Sequence, residues 1–284
     1  MPPFPGKGGA PAKGGALAVR IASALVLAPV PIAAIWFGSP WLPLLAIAAA
    51  GLLGWEWARL CGGPDAGLGG TVLLAVELVA VAAAAAAGLA IGAGLLFLGT
   101  ALVFWAARMQ MAAAPGWLAA GTLWVGLPCM LLLWLAQHAD AGRTVLFWLF
   151  AVVWATDIGA YVFGRWLGGP RLAPRWSPGK TWAGLIGGAA CAALAGLATA
   201  WVTGNMRGIT AVVLLVAVSA ALAIVEQFGD LAESVAKRRF GVKDSSGLIP
   251  GHGGFLDRLD GLLAVIPAVA LLTWAGGDRM LAWH

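Results

Sequence analysis

The sequence predicts an all-α, polytopic membrane bundle of about nine transmembrane helices. Three observations carry this. The chain is 61% hydrophobic with a mean hydropathy of +0.91. Only 10% of its residues are charged, against about 25% in ordinary soluble domains. Its apolar runs are continuous and about 20 residues long, enough to cross a bilayer as helices, and they lack the alternation of a barrel strand. Soluble globular, disordered and disulfide-scaffold classes are thereby excluded. At about 20 residues per crossing, 284 residues have room for about eight to ten spans.

In chain order, residues 1–16 are rich in Gly, Pro and Lys and read as a flexible cytoplasmic tail. The run from Leu17 to Phe37 is too long for a signal-peptide core, and no cleavage pattern leads from it into a soluble domain, so it is the first expected span. Further spans are expected at about 41–60, 69–91, 93–112, 116–137, 144–166, 181–203, 208–228 and 260–276. The breaks between them include Gly38-Ser39-Pro40, Cys61-Gly62-Gly63-Pro64 and Ala114-Pro115-Gly116. The chain divides into N-terminal transmembrane helices, 17–143, and a C-terminal transmembrane region, 144–284, with cytoplasmic loops at 165–180 and 229–259.

Basic residues test this division, because Lys and Arg concentrate on the cytoplasmic side. With a cytoplasmic N-terminus, fourteen of the 17 Lys and Arg residues fall on that side, from Lys7, Lys13 and Arg20 through Arg59, Arg108 and Arg165 to Lys243 and Arg258. Only Arg143, Arg207 and Arg279 fall on the other. The expected location is therefore the cell's inner membrane, multi-pass, with the N-terminus and the basic loops cytoplasmic. The pI of 9.6 reflects the same bias and basic loops near anionic headgroups, so no nucleic-acid polymer is expected as a partner. Sixteen tryptophans against one tyrosine suit interfacial anchoring. Cys61, Cys129 and Cys191 form no CxxC pair and read as small core residues.

Charge is also uneven along the chain. The stretch from Glu226 to Asp260 holds eleven charged residues, although the whole chain has only 17 Lys plus Arg and 12 Asp plus Glu. Glu226, Asp230, Glu233 and Lys237, spaced 4, 3 and 4, form one stripe of a helix continuing the eighth span. Downstream, Asp257 and Asp260 follow the Gly-rich turn His252-Gly253-Gly254. Carboxylates from two segments are what Mg²⁺ requires beside phosphate oxygens. Lys237, Arg238, Lys243 and Arg258 offer charge for phosphates, and Gly253 and Gly254 let backbone N–H groups approach one. Asp157, inside an otherwise apolar span, is a functional candidate, its structural alternative being an ion pair with Arg165 or a neighbouring helix. Asp157, Tyr161 and Gly164 share a helical face.

Other acids and motifs have plainer readings. Glu77 reads as neutral or snorkelling within its helix, and Glu56 as an i,i+3 partner of Arg59 at a helix end. Gly179-Lys180-Thr181 resembles the end of a Walker A loop, but Pro174 stands where that motif needs glycine and no strand is expected before it.

Ser234-x-x-Lys237-Arg238-x4-Lys243-Asp244-x-x-Gly247-x-x-Pro250-Gly251-His252-Gly253-Gly254-x-x-Asp257-Arg258-x-Asp260 resembles the signature of the phosphatidate cytidylyltransferase, or CDP-diacylglycerol synthase, family. Ala236 is a mild departure from it. Gly229-Asp230-Leu231-Ala232-Glu233 resembles the family as well. Two further segments extend the likeness: Asp157-x-x-Ala160-Tyr161-x-x-Gly164-Arg165, and Ser177-Pro178-Gly179-Lys180-Thr181-Trp182-Ala183-Gly184. In the last, Gly179 replaces a usual base and Ala183 a usual acid.

The resemblance implies transfer of a cytidylyl group from CTP to phosphatidic acid with Mg²⁺, giving CDP-diacylglycerol and pyrophosphate. It implies Asp230 and Asp257 as metal ligands, with Asp260 or Asp157 nearby or as a further ligand, and the several acids leave room for a second cation. Lys237, Arg238, Lys243 and Arg258 would hold phosphates. Asp244 belongs to the same catalytic set, and His252 would donate to phosphate or fix the turn. Asp157, Tyr161, Arg165, Ser177, Lys180, Thr181, Ser234, Gly253 and Gly254 would bind substrate. The alternative is a CTP-dependent membrane lipid kinase of the polyprenol type, which would release CDP. A CDP-alcohol phosphatidyltransferase is excluded because Asp260-Gly261 continues as Leu-Leu-Ala-Val. A transporter would spread its ionisable groups over several mid-membrane helices. Small-residue spacings such as Gly184-xxx-Gly188 suit either intramolecular packing or a homodimer seam.

Overall fold

A computed structural model describes residues 28–63, 66–138, 141–204, 208–249 and 253–276. The tail 1–16, most of the first expected span and His252 lie outside the described residues. Helix α1 runs from Pro29 to Phe37, α2 from Trp41 to Gly62, α3 from Gly67 to Ala87 and α4 from Leu89 to Met109. Next come α5, Pro115–Gly121, a π-helical turn, Thr122–Gly126, and α6, Leu127–His138. Helix α7 spans Gly142–Trp166. A short antiparallel hairpin, β1 Arg171–Ala173 and β2 Ser177–Thr181, follows it. The chain then forms α8, Trp182–Val202, α9, Ile209–Arg239, and α10, Leu256–Gly276. Among the described residues, 8 helical segments are long and apolar enough to cross a membrane, α5 to α6 counting as one.

The eight expected spans from residue 41 onward are present among the described residues, with three corrections. The α3/α4 boundary lies at Gly88, not near residue 92. Gly88 takes φ 95°, a left-handed conformation that glycine adopts without strain, and its N–H bonds back to Ala84 O. Helix α9 runs 31 residues, roughly 46 Å at 1.5 Å per residue, well beyond the roughly 30 Å of a hydrocarbon core. The helix carries the expected 4, 3, 4 stripe through Lys237, so the cytoplasmic loop begins after Arg239 and not at 229, and α10 begins earlier than expected, at Leu256. Finally, residues 177–181 form a strand where a loop was expected, because the backbone after α7 pairs with itself from Arg171↔Thr181 to Ala173↔Ser177.

The α5–α6 segment is the most enclosed span, 67% buried, and α6 contacts α2, α3, α4, α7 and α10. Around this centre α7 packs along α8, α8 along α9, and α9 along α10. Glycines set the α7–α8 separation. A Cβ at Gly187 would overlap the Phe163 ring, and one at Gly188 would lie 3.0 Å from Thr156 O. The glycine stripe including Gly184 and Gly188 thus serves packing within the chain, where small residues let backbones approach in the absence of a hydrophobic driving force. Trp148 is buried and its Nε1 donates to Ser219 Oγ at 2.9 Å, pinning α7 to α9. Glu77 does not snorkel: it is fully buried, and a Cβ at Gly126 would lie 2.5 Å from its Oε2.

Candidate active site

The close α7–α8 contact sets one wall of a polar cavity of about 580 Å³. Asp157, Tyr161, Gly164 and Arg165 line it from α7; Arg171, Gly179, Lys180 and Thr181 from the hairpin; Gly184 from α8; Gln227 and Asp230 from α9. The predicted face Asp157–Tyr161–Gly164 is therefore a cavity wall. Gly164 permits the contact: a Cβ there would meet Thr181 Oγ1 at 3.1 Å and Gly184 Cα at 3.4 Å. Thr181 is buried and caps α8, its Oγ1 accepting from Gly184 N at 3.0 Å. Its hydroxyl oxygen, assigned to substrate from sequence, is committed to that cap. Ser177 sits opposite Ala173 in the hairpin and does not line the cavity. Half-buried Ser234 is likewise outside it.

Lys180 Nζ donates to Asp230 Oδ2 at 2.5 Å, with both side chains less than a fifth exposed. This pair joins the strand-to-helix junction to α9. Asp157 faces Glu226, Asp230, Lys180 and Arg258, so its electrostatic partners lie on neighbouring elements; Arg165, its other predicted partner, lines the same cavity. Glu226 is 1% exposed, faces Asp157 and Asp230, and has both oxygens without a hydrogen-bond partner.

A second cluster continues from the first. Asp260 faces Asp230 and Glu233, while its Oδ1 accepts from Gly261 N at 2.9 Å. Lys237 Nζ bridges Glu233 Oε2 at 2.9 Å and Asp257 Oδ1 at 2.6 Å. Asp257 Oδ2 then accepts from Gly254 N at 2.8 Å, Ser245 N at 3.0 Å and Ser245 Oγ at 3.1 Å. The charges form one continuous series, Lys180–Asp230–Asp260–Glu233–Lys237–Asp257.

Several of the expected site residues have partners within the protein. The Lys237 ammonium binds two carboxylates of the protein; as a compact point charge it holds α9 to the start of α10. Gly254 directs its N–H to Asp257, not outward to a phosphate. Gly253 takes φ 84°, and its carbonyl accepts from Ile249 N at 2.9 Å, closing the turn. Arg238 is exposed and donates to Val242 O at 3.3 Å, ending α9. Lys243, Asp244 and Arg258 are exposed around the same loop.

Sequence reasoning missed three residues. Arg171 and Gln227 line the cavity. Glu56 is fully buried, and its oxygens accept from the 245–256 segment in place of the expected i,i+3 arrangement, while the Arg59 guanidinium lies 5.0 Å from the Trp55 ring centroid. Its sequence signal was the setting Trp55-Glu56-Trp57, an acid between two large aromatics at the end of an apolar run.

Residues 18–275 match the model of the Cytidylyltransferase family. The chain belongs to that family. Among curated cytidylyltransferases, the phosphatidate cytidylyltransferase of Brucella suis is 42% identical over 259 residues, spanning 90% of this chain and 92% of the relative. That of Pseudomonas aeruginosa is 38% identical over 277 residues, 91% and 97% of the two chains. That of Haemophilus influenzae is 45% identical over 130 residues, 44% of each. As a cytidylyltransferase, the chain is a multi-pass membrane enzyme with a nucleotide substrate, in a family that typically uses a divalent cation.

The acidic series fits such a cation. Six carboxylates, Asp157, Glu226, Asp230, Glu233, Asp257 and Asp260, face three bases, Lys180, Lys237 and Arg258. Glu233 Oε1, like both oxygens of Glu226, is buried without a hydrogen-bond partner. Buried carboxylate oxygens in excess of their donors are costly unless a proton or a cation compensates them. Among the described residues no three carboxylate, histidine or cysteine groups converge into a ready coordination shell. A divalent cation held by one or two carboxylates together with substrate phosphates and water needs no such shell.

Proposed function

We propose that this cytidylyltransferase transfers the cytidylyl group of CTP to phosphatidic acid at the cytoplasmic face of the inner membrane, with Mg²⁺. The observation that carries this is the Lys180–Asp230 pair inside a polar cavity between α7, the hairpin, α8 and α9. It couples the two signature segments that resemble the phosphatidate cytidylyltransferases. Basic residues at the ends of α2, α4, α7 and α9, Arg59, Arg108, Arg165 and Lys237–Arg239, favour the cytoplasmic side for that end of the bundle.

In the reaction a phosphate oxygen of phosphatidic acid attacks the α-phosphorus of CTP. A new P–O bond forms, the bond to the bridging β-phosphate oxygen breaks, and pyrophosphate leaves with the electron pair. The attacking phosphate is already anionic, so no strong base is required. The protein orients two polyanions and neutralises charge that moves onto the leaving group. Arg165, Arg171 and Lys180 ring the cavity and suit phosphate groups. Asp230 and Asp257 would hold Mg²⁺, which supplies Lewis-acid stabilisation of the leaving pyrophosphate. The lipid tails stay in the bilayer while the headgroup reaches the site.

Incorporation of labelled CTP into chloroform-soluble lipid, with phosphatidic acid and with or without Mg²⁺, tests this. Labelled CDP-diacylglycerol with stoichiometric pyrophosphate is expected. Release of CDP instead would identify the lipid-kinase alternative and overturn the assignment.

A further inference from the structure

Glu56 lies far from the signature in sequence, yet its carboxylate is where the signature loop is anchored. It stands near the end of α2, fully buried beside Trp57, whose Nε1 donates to Trp117 O at 2.8 Å and holds that part of α2 in place. Oε1 accepts from Phe255 N at 2.8 Å and from Ser246 Oγ. Oε2 accepts from Leu256 N at 2.5 Å and Ser245 Oγ at 3.1 Å. Phe255 and Leu256 lead into and open α10, so these are amide donors that no intrahelical carbonyl can satisfy.

Ser245 links this anchor to the chemistry. Its Oγ lies 3.1 Å from both Glu56 Oε2 and Asp257 Oδ2, and its N–H donates to Asp257. Gly254, which also donates to Asp257, packs so closely that a Cβ would overlap Ser245 Oγ and lie 2.7 Å from Glu56 Oε1. Every backbone donor to Asp257 Oδ2 thus comes from a residue in contact with Glu56.

We propose that Glu56 is a positioning residue for Asp257: by clamping Ser245, Ser246 and the first turn of α10 from a different part of the bundle, it fixes the Asp257 carboxylate in the orientation that receives a divalent cation. The assignment rests on the proposed function, and its chemistry is specific to a carboxylate. A glutamine of the same size places one NH₂ group against two donors, so one half of the clamp must open.

The test compares wild type with Glu56→Gln in two assays, turnover of CTP with phosphatidic acid and the rise in thermal midpoint on titrating Mg²⁺ alone. Glu56→Gln is expected to accumulate in the membrane. Its kcat should fall about 10- to 100-fold, and the Mg²⁺ midpoint in both assays should rise by a similar factor, with KM for phosphatidic acid within about twofold of wild type. A purely structural role would lower the yield of folded protein and leave the Mg²⁺ midpoint at the wild-type value; that result overturns the proposal. Should Glu56→Gln fail to accumulate, Ser246→Ala removes one donor and leaves Glu56 in place, and an unchanged Mg²⁺ midpoint there overturns it equally. Wild-type protein that makes no CDP-diacylglycerol overturns the function instead, and the thermal arm still reports on Glu56.

Discussion

The ammonium of Lys180 lies 2.5 Å from the Asp230 carboxylate, 50 residues later in the chain. The pair ties the junction of β2 and α8 to the extended part of α9, and each partner lines the same cavity. Replacing Lys180 with Met leaves Asp230 without its close cation and removes a charge from the cavity wall. The kcat/KM for CTP is expected to fall about 100-fold, or roughly 2.7 kcal/mol of transition-state stabilisation. Steady-state kinetics in detergent at saturating phosphatidic acid would measure it. A change smaller than about threefold would show that the pair has no role in turnover.

Asp257→Asn keeps the shape of the side chain but removes the charge held by Lys237. It should abolish formation of CDP-diacylglycerol at any Mg²⁺ concentration while the protein still elutes as a folded species. Full activity in this variant would remove Asp257 from the metal assignment. Chelation of the wild type should abolish activity reversibly, with recovery on adding Mg²⁺.

Gly254→Ala tests the packing beneath the turn. The added methyl would overlap Ser245 Oγ and crowd Glu56, and over-packing of this kind costs about 1–3 kcal/mol. The variant should melt at lower temperature and lose most of its activity. Equal melting temperatures would mean that the loop shifts freely.

Gly179→Lys is the opposite case. Nothing lies within 4 Å of a Cβ at Gly179, and the position lines the cavity. Restoring the base that the family pattern usually carries should change stability by less than about 0.5 kcal/mol and lower KM for CTP severalfold. Initial rates across a CTP series would show the shift, and an unchanged or higher KM would place residue 179 away from the nucleotide.

The sequence made the bundle legible because lipid demands long apolar helices, and that demand is local. It made the α9 stripe legible for the same reason: a 4, 3, 4 spacing is a property of one helix. Boundaries such as Gly88 depended on a single backbone conformation that composition does not encode. The candidate site was legible as a set of residues, and the cavity gathers Asp157, Tyr161, Arg165, Lys180, Thr181 and Asp230. Roles within the set were less visible. Lys237 and Gly254 looked like phosphate ligands, yet their partners are carboxylates of the protein, a matter of tertiary pairing. Glu56 was misread because a local partner, Arg59, stood three residues away, while its actual partners come 189 to 200 residues later.

That last separation has a consequence for biosynthesis. Glu56 leaves the ribosome 199 residues before Phe255, which at about 5–20 residues per second is an interval of roughly 10–40 s. Until Ser245 is made, 189 residues after Glu56, α2 carries an acid with none of its eventual donors. The clamp closes only when α10 arrives, so the first half of the chain holds the template on which the last loop takes its shape. Translation halted before α10 would produce most of the bundle and no orienting contact for the nucleotide-transfer centre.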